Sequence, residues 1–294
     1  MKKVAITGSE GFIANHLIRN LRENGNFQIE CFDIKNNIFE DICNFDSINS
    51  FISDFSPDVV IHLAANPDIP SSVLYSKEDL EINTGGTINV LKACEQSSVK
   101  QFIFASTAQV YGDPQKKLMD EGHPINPLSP YAISKYSAEN YIKFYADKFD
   151  FNYTIFRFFN IYGEGQIELV VFPSLINKIK ENKTGVLEMY GSNDDSRDFV
   201  YVGDLCDAFR LALDKKMENE IINIGSGYET FILDLAKEIS KQIGKRIEFK
   251  YSPNFINTKL NRMQADVSKA KEILNWESQT SLSDGVKRMV SFYK

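Results

Sequence analysis

Tyr131 and Lys135 stand four residues apart in the stretch SPYAISKYSAENY, immediately after Pro130. Proline suits the first position of a helix, and an i, i+4 spacing then puts both side chains on one face. A free phenol titrates at about 10 and is a poor base near neutrality. A neighbouring ammonium favours the phenolate and lowers that value, which would make Tyr131 a usable acid/base with Lys135 as its partner. By itself such a pair is a common surface feature. It gains weight from ASTAQVYG (105–112), which follows the apolar run QFIF. A turn there needs only Gly112, so Ser106, Thr107 and Gln109 call for packing or for chemistry. A hydroxyl at that strand end could hydrogen-bond a substrate oxygen while Tyr131 moves its proton.

A second constellation lies at the start of the chain. ITGSEGFIANHL places Gly8, Gly11 and Ala14 where a first strand should turn into a helix. Glycines there let the backbone approach a pyrophosphate, whose charge the free N–H groups of a helix N-terminus stabilise. An acid, Asp33, follows the next strand, IECF. It suits the hydroxyls of an adenosine ribose and repels a 2′-phosphate, which favours NAD over NADP. The plainer readings are a tight strand–helix turn and a solvated turn aspartate.

These residues need a scaffold that gathers them. Near-continuous apolar runs at 3–8, 27–33, 58–64, 101–106 and 153–158 alternate with helical patterns at 13–24, 46–54, 82–97 and 131–149. That alternation predicts a doubly wound α/β domain with a parallel sheet covered on both faces, whose ligands gather at the strands' carboxyl ends. Beyond about residue 160 the pattern changes. Helices are expected at 172–182, 202–215, 231–243 and 283–293, and strands at 186–191, 220–225 and 246–251. Residues 36–41 and 252–261 read as surface loops. We expect a division into 1–160 and a smaller α/β substrate-binding region, 161–294, partly interleaved with the first.

Composition narrows the classes of function. The 294 residues carry a net charge of −7 and a pI near 5.2, which argues against a nucleic-acid partner. Cys31, Cys43, Cys94 and Cys206 show no CxxC spacing, and His16, His62 and His123 are far apart. Neither a zinc site nor a disulfide framework is expected. The apolar run of MKKVAITGSEGF is too short for a signal peptide, and no run of 18 apolar residues is present, so a cytoplasmic protein without a membrane span is expected. His62 reads as a satisfied strand histidine with no catalytic task.

Taken together, TGSEGFIANHL, HLAA (62–65), NTGGTINVL (83–91), STAQVYG, YAISK, RFFNIYGEGQ (157–166), SRDFVYVGDL (196–205) and NIGSG (223–227) resemble the extended short-chain dehydrogenase/reductase superfamily. The resemblance is to its NAD-dependent nucleotide-sugar epimerase/dehydratase branch, covers nearly the whole chain and implies a Rossmann-type sheet. It makes Tyr131 the acid/base, Lys135 its partner and ribose ligand, and Thr107 the hydroxyl that helps hold the sugar's C4 oxygen. Gly8, Gly11, Phe12, Ile13, Asp33, Asp41, Ile42, Leu63, Ala64, Ala65, Asn83 and Ser106 match cofactor positions, although Asn83 could instead cap a helix. Asn160 and Arg197 match residues on the nucleotide diphosphate; Arg197 could instead be half of a surface ion pair with Asp195 or Asp198. An Arg-x-Gly-Asp stretch common in the branch is missing before Asp266, where Arg262 could supply the cation. Relatives often dimerise through helices that here would be 83–97 and 131–149, so a homodimer is expected; Ile88, Leu91, Tyr141 and Tyr145 are compatible contacts but at helical spacing equally serve the monomer core.

The resemblance leaves the reaction open among several. Dehydratases of the branch carry an acidic pair after the hydroxyl residue, and decarboxylases usually keep a glutamate there; here Ala108 and Gln109 fill those places. An amide has no titratable proton near neutrality and cannot act as a general acid/base. The expectation is therefore C4 epimerisation of a UDP-sugar of the glucose/galactose type with retained NAD. A 4-keto-sugar reductase is the alternative, and a non-enzymatic dinucleotide sensor fits poorly with an intact tyrosine–lysine pair.

Overall fold

A computed structural model describes residues 1–97, 99–149, 151–168, 170–215, 217–252 and 262–293. Six parallel strands form the central sheet: β1 (Lys2–Thr7), β2 (Phe27–Phe32), β3 (Val59–His62), β4 (Gln101–Thr107), β5 (Asn152–Phe158) and β6 (Glu220–Ile224). Their order across the sheet is β6-β5-β4-β3-β1-β2, so the winding reverses between β1 and β3. That reversal opens a crevice at the carboxyl ends of the two strands, the place where doubly wound sheets take ligands. Val4, Ala5 and Ile6 are fully buried in β1, as are Phe102, Ile103 and Phe104 in β4. A strand covered on both faces has no solvent side to mark with polar residues, which is why these runs read as continuously apolar.

Helix α1 (Phe12–Asn24) buries Ala14, Leu17, Ile18 and Leu21, the stripe expected of an amphipathic helix. It covers one face of the sheet. On that side the core continues into α5 (Val171–Glu181), α6 (Val202–Asp214), α7 (Ile232–Ile243) and α8 (Leu282–Phe292). The other face is covered by α2 (Phe45–Phe55), α3 (Thr87–Glu95) and α4 (Pro130–Phe149). Each fully buried Leu, Ile or Phe contributes ~1.5–3 kcal/mol through surface removed from water. Residues 202–224 return to the sheet as α6 and β6, so the chain crosses back after residue 160.

The expected helix at 82–97 is a π turn, Glu81–Gly86, running into α3. Short helices Ile69–Leu74 and Ser76–Leu80 precede it where no element was expected. In the expected loop at 36–41, Ile38 and Phe39 are exposed. The loop expected at 252–261 lies, apart from Ser252, outside the described residues. Of the candidate dimer contacts, Leu91 and Tyr145 are turned into the core instead, whereas Tyr141 is exposed together with Ile133 and Phe144 of α4. Among the described residues no helix is long and apolar enough to cross a membrane.

The buried stripe of α4 includes Ser134, Lys135 and Glu139 among its apolar residues. Buried polar groups must be paired. Glu139 takes Arg157 of β5 in a two-pronged pair, Nε to Oε1 at 3.0 Å and Nη2 to Oε2 at 2.6 Å, and both residues are almost wholly buried. Ser106 of β4 donates to the same carboxylate at 2.6 Å. Glu139→Ala strands the Arg157 charge in the core, so the variant should lose ~3–5 kcal/mol in equilibrium urea unfolding. An unchanged midpoint and slope would show that this pair does not hold α4 to the sheet.

Candidate active site

Where β1 ends, Gly8 adopts φ +71°, and a Cβ there would fall 2.5 Å from the Ala64 amide nitrogen. Gly8 therefore lets the ends of β1 and β3 close on each other. Its own N–H donates to Phe32 O at 2.9 Å, which draws in the end of β2 as well. Gly11 precedes α1 without a side-chain cap, and its N–H donates to Gly8 O at 3.0 Å. The first-turn amides of α1, including those of Phe12 and Ile13, are left as an anion site of the kind a pyrophosphate fills.

Asp33 is a buried brace, not the solvated turn residue of the plainer reading. Its carboxylate accepts from the Glu10 amide at 2.9 Å and the Lys35 amide at 2.8 Å, and its own N–H donates to Glu40 at 2.9 Å. Asp41 accepts from the Cys43 amide at 2.8 Å, while Ile42 packs where any side chain on Gly86 would clash. Leu63, Ala64 and Ala65 follow β3 half-buried beside the glycine turn. An open helix N-terminus, a glycine cradle and an acid at the neighbouring strand end fit a dinucleotide.

Tyr131 and Lys135 occupy the first turns of α4; Lys135 is buried, whereas Tyr131 keeps partial exposure at the cavity. The Thr107 hydroxyl lies near the Tyr131 phenol and favours its ionised form. Lys135 is 2% exposed, with Nζ 4.1 Å from the centroid of the Phe104 ring. One expectation is corrected here. Burial pushes the Tyr131 phenol up to about 12, with the Asp79 charge adding to the rise and the Thr107 hydroxyl opposing it. The lysine carries the opposite effect: burial brings its ammonium down to about 7, against the attraction of Glu139 and Asp79. In this geometry desolvation dominates both shifts, and neither group moves the other.

Two further cofactor expectations change in detail. The Ser106 hydroxyl is directed at Glu139. Asn83 does not cap a helix: it lies inside the π turn, accepts from the Asn66 amide at 2.8 Å and donates to Asp79 at 3.0 Å and Ser134 at 3.2 Å. Ser134 in turn donates to Asp79 at 2.6 Å. The segment after β3 is thereby tied to the turn between Tyr131 and Lys135.

A cavity of about 160 Å³ adjoins Tyr131. Its polar lining is Thr107, Gln109, Tyr131 and Asn160; Pro67, Ile69, Ala108, Phe158, Phe159 and Met263 supply the apolar walls. A shallower groove of about 790 Å³, with Glu164, Lys287 and Arg288 in its wall, contains none of the sequence-predicted site residues. Asn160 is pinned by the Asp198 carbonyl, which accepts both its backbone N–H at 3.0 Å and its side-chain amide at 3.2 Å. The Asp198 carboxylate accepts from Ser226, Gly227 and Ala265. Arg197 donates to the Ser196 carbonyl at 2.8 Å; burial lowers its pKa, with Asp195 opposing. Arg262 lies beside cavity-lining Met263, but its guanidinium is clasped by Glu229 at 2.6 and 2.8 Å. That pair holds the Glu229 carboxyl down to about 2.

Sequence reasoning passed over Asp79, Glu139 and Asp198. Glu139 had a visible signal, standing one further i+4 step beyond Lys135 on the same helix face. Asp79 stands four residues before Asn83 but required the unforeseen helix at Ser76–Leu80. Asp198 acts through contacts distant in sequence and left no local mark.

The family model described as NAD dependent epimerase/dehydratase family matches residues 4–225. A Methanocaldococcus jannaschii protein carrying a provisional UDP-glucose 4-epimerase name is 38% identical, over 99% of this chain and 98% of its own length. The human dTDP-D-glucose 4,6-dehydratase is 30% identical, over 100% of this chain and 90% of its own. The crystal structure of UDP-glucose 4-epimerase with UDP-glucose from Thermotoga maritima superposes with a TM-score of 0.90 at 30% identity, covering 99% of this chain and 98% of that one.

The buried lysine predicts a pH signature. Its folded pKa of about 7 lies below its ordinary 10.5, so between those values the unfolded chain binds the extra proton. Stability from this group is present above 10.5 and lost as pH falls through 7. Lys135→Met removes the titration, so its Tm advantage over the parent should widen from about pH 9 to about pH 6. A pH-independent difference would contradict burial of this cation.

Proposed function

The chain belongs to the NAD dependent epimerase/dehydratase family, and we propose that it inverts C4 of a neutral UDP-linked hexose through a transient 4-keto sugar. One observation carries this reading. Among the described residues lining the cavity, Tyr131 is the one ionisable side chain. Elimination of water needs an additional acid or base, and Ala108 and Gln109 offer none. A hexuronate would bring a carboxylate into a cavity with no cation among the described residues of its wall, at a desolvation cost that none of them offsets. The UDP-glucose held by the Thermotoga maritima relative supports the choice of nucleotide.

Bound NAD supplies the hydride acceptor, and later donor, for C4. Tyr131 must first ionise, which its burial opposes; as the phenolate it takes the C4 hydroxyl proton and afterwards returns it, while Thr107 hydrogen-bonds the same oxygen. Lys135, one helical turn on from Tyr131 and buried against Phe104, would offer its ammonium to the ribose hydroxyls. Asn160 and Arg197 hold the diphosphate, so the keto sugar can turn over while its nucleotide stays anchored. The exposed Ile133, Tyr141 and Phe144 on α4 suit a homodimer face.

Purified protein given UDP-glucose and no added NAD should form UDP-galactose in proton NMR spectra, and Tyr131→Phe should lower kcat by about 10²–10⁴. Gln109→Glu should not improve turnover. A 4-keto-6-deoxy product, or net consumption of NADPH, would overturn the reading. Sedimentation velocity at micromolar concentration should report about twice the 33.5 kDa chain mass. A monomer would exclude the dimer.

A further inference from the structure

His62 ends β3 fully buried, and no step of the proposed reaction uses it. A neutral imidazole has one N–H and one acceptor nitrogen, and here the neighbours dictate which is which. The Thr87 hydroxyl lies 2.6 Å from the Asn83 carbonyl, which has no proton to give, so the single Thr87 hydrogen points there. The 3.0 Å contact between His62 Nε2 and Thr87 Oγ1 must then be an Nε2–H donation. Nδ1 is left as acceptor and takes the Thr7 hydroxyl hydrogen at 2.6 Å. Thr7 Oγ1 accepts in turn from the Ala64 amide at 3.4 Å.

Every bond in this chain runs the same way, from Ala64 through Thr7, His62 and Thr87 to Asn83. Its ends lie at the cofactor crevice: Thr7 precedes Gly8, Ala64 faces Gly8, and Asn83 ties the segment after β3 to α4. The ring also stacks on Phe104, centroids 5.7 Å apart, the same ring that Lys135 Nζ approaches at 4.1 Å. Burial and the Lys135 charge hold the His62 pKa down to about 3, so the imidazole stays neutral across the working range.

We propose that His62 is a positioning residue for the cofactor. As an Nε2–H imidazole it sets the ends of β1 and β3 and the Asn83 turn in one relative placement for the dinucleotide. This rests on the family's NAD dependence and on the crevice at Gly8, Ala64 and Asn83, not on which sugar is turned over.

Long-range ¹H–¹⁵N NMR of the unmodified protein should show the His62 ring as a single Nε2–H tautomer, unchanged from about pH 5.5 to about pH 8. An Nδ1–H tautomer, or an imidazolium within that range, would overturn the proposal, and this arm needs no variant. The second arm cuts one link. Thr87→Val leaves a buried N–H without an acceptor and should raise the NAD Kd about tenfold, while Thr87→Ser restores it to within about twofold. The kcat at saturating NAD should change less than the Kd. A Thr87→Val variant that lowers Tm but binds NAD as the parent does would reduce His62 to a stabilising core residue. Equal loss in the valine and serine variants would overturn the relay as well.

Discussion

A lysine ammonium is held in the core of this fold, and much of the surrounding polar structure answers the cost of keeping it there. An isolated buried cation is among the most unfavourable groups a protein can contain. Lys135 forms no ion pair in contact distance among the described residues. What surrounds it is the face of Phe104 and, farther off, the carboxylates of Asp79 and Glu139. Neither carboxylate is spent on the lysine. Glu139 is engaged by Arg157 and Ser106, and Asp79 by Ser134 and Asn83. Their fields still reach the ammonium, while their hydrogen bonds brace β4, β5, the π turn and α4 around it. A direct salt bridge would have neutralised Lys135 and used its donors; this arrangement leaves them to a ligand.

The residues legible in the sequence are those whose role follows from local spacing. Tyr131 and Lys135 share a face because of the helical repeat, and Gly8 stands where a strand must turn sharply beside another. The strand positions were readable as well, since burial on both faces leaves uninterrupted apolar runs. Ser106 shows what local reading could have found and did not. Alternation along β4 sends Phe102, Phe104 and Ser106 to one face of the sheet, the side covered by α4. Its hydroxyl was thus bound for the helix layer before any ligand was considered. Asp198 and Asp79 were not readable, because their partners, Ser226 with Ala265 and Ser134, are brought to them only by the tertiary fold.

Arg262 illustrates a different limit. The sequence offers a cation near the nucleotide end but not its partner. Glu229 clasps that cation on a partly exposed surface, where solvent screening leaves the pair a weak interaction. An interaction of that size holds a side chain near the site without committing it. Arg197, by contrast, is more enclosed and lies on the short strand beside Ser196, so its placement is set by the backbone.

The shape of the cavity bears on why a single ionisable group would suit epimerisation. An enzyme that interconverts two C4 epimers must accept both, and must let the keto sugar present either face for hydride return. Charged anchors around the hexose would favour one pose, and every directional bond made there has to break before the ring turns. Walls of Phe158, Phe159, Ile69 and Met263 resist neither pose. In the proposed reaction, binding free energy can instead be gathered at the diphosphate through Asn160 and Arg197. Interactions remote from the chemistry hold the substrate through both half-reactions. In the proposed reaction Thr107 and Tyr131 meet the same C4 oxygen in either epimer, a requirement that an added acid at Gln109 would not serve.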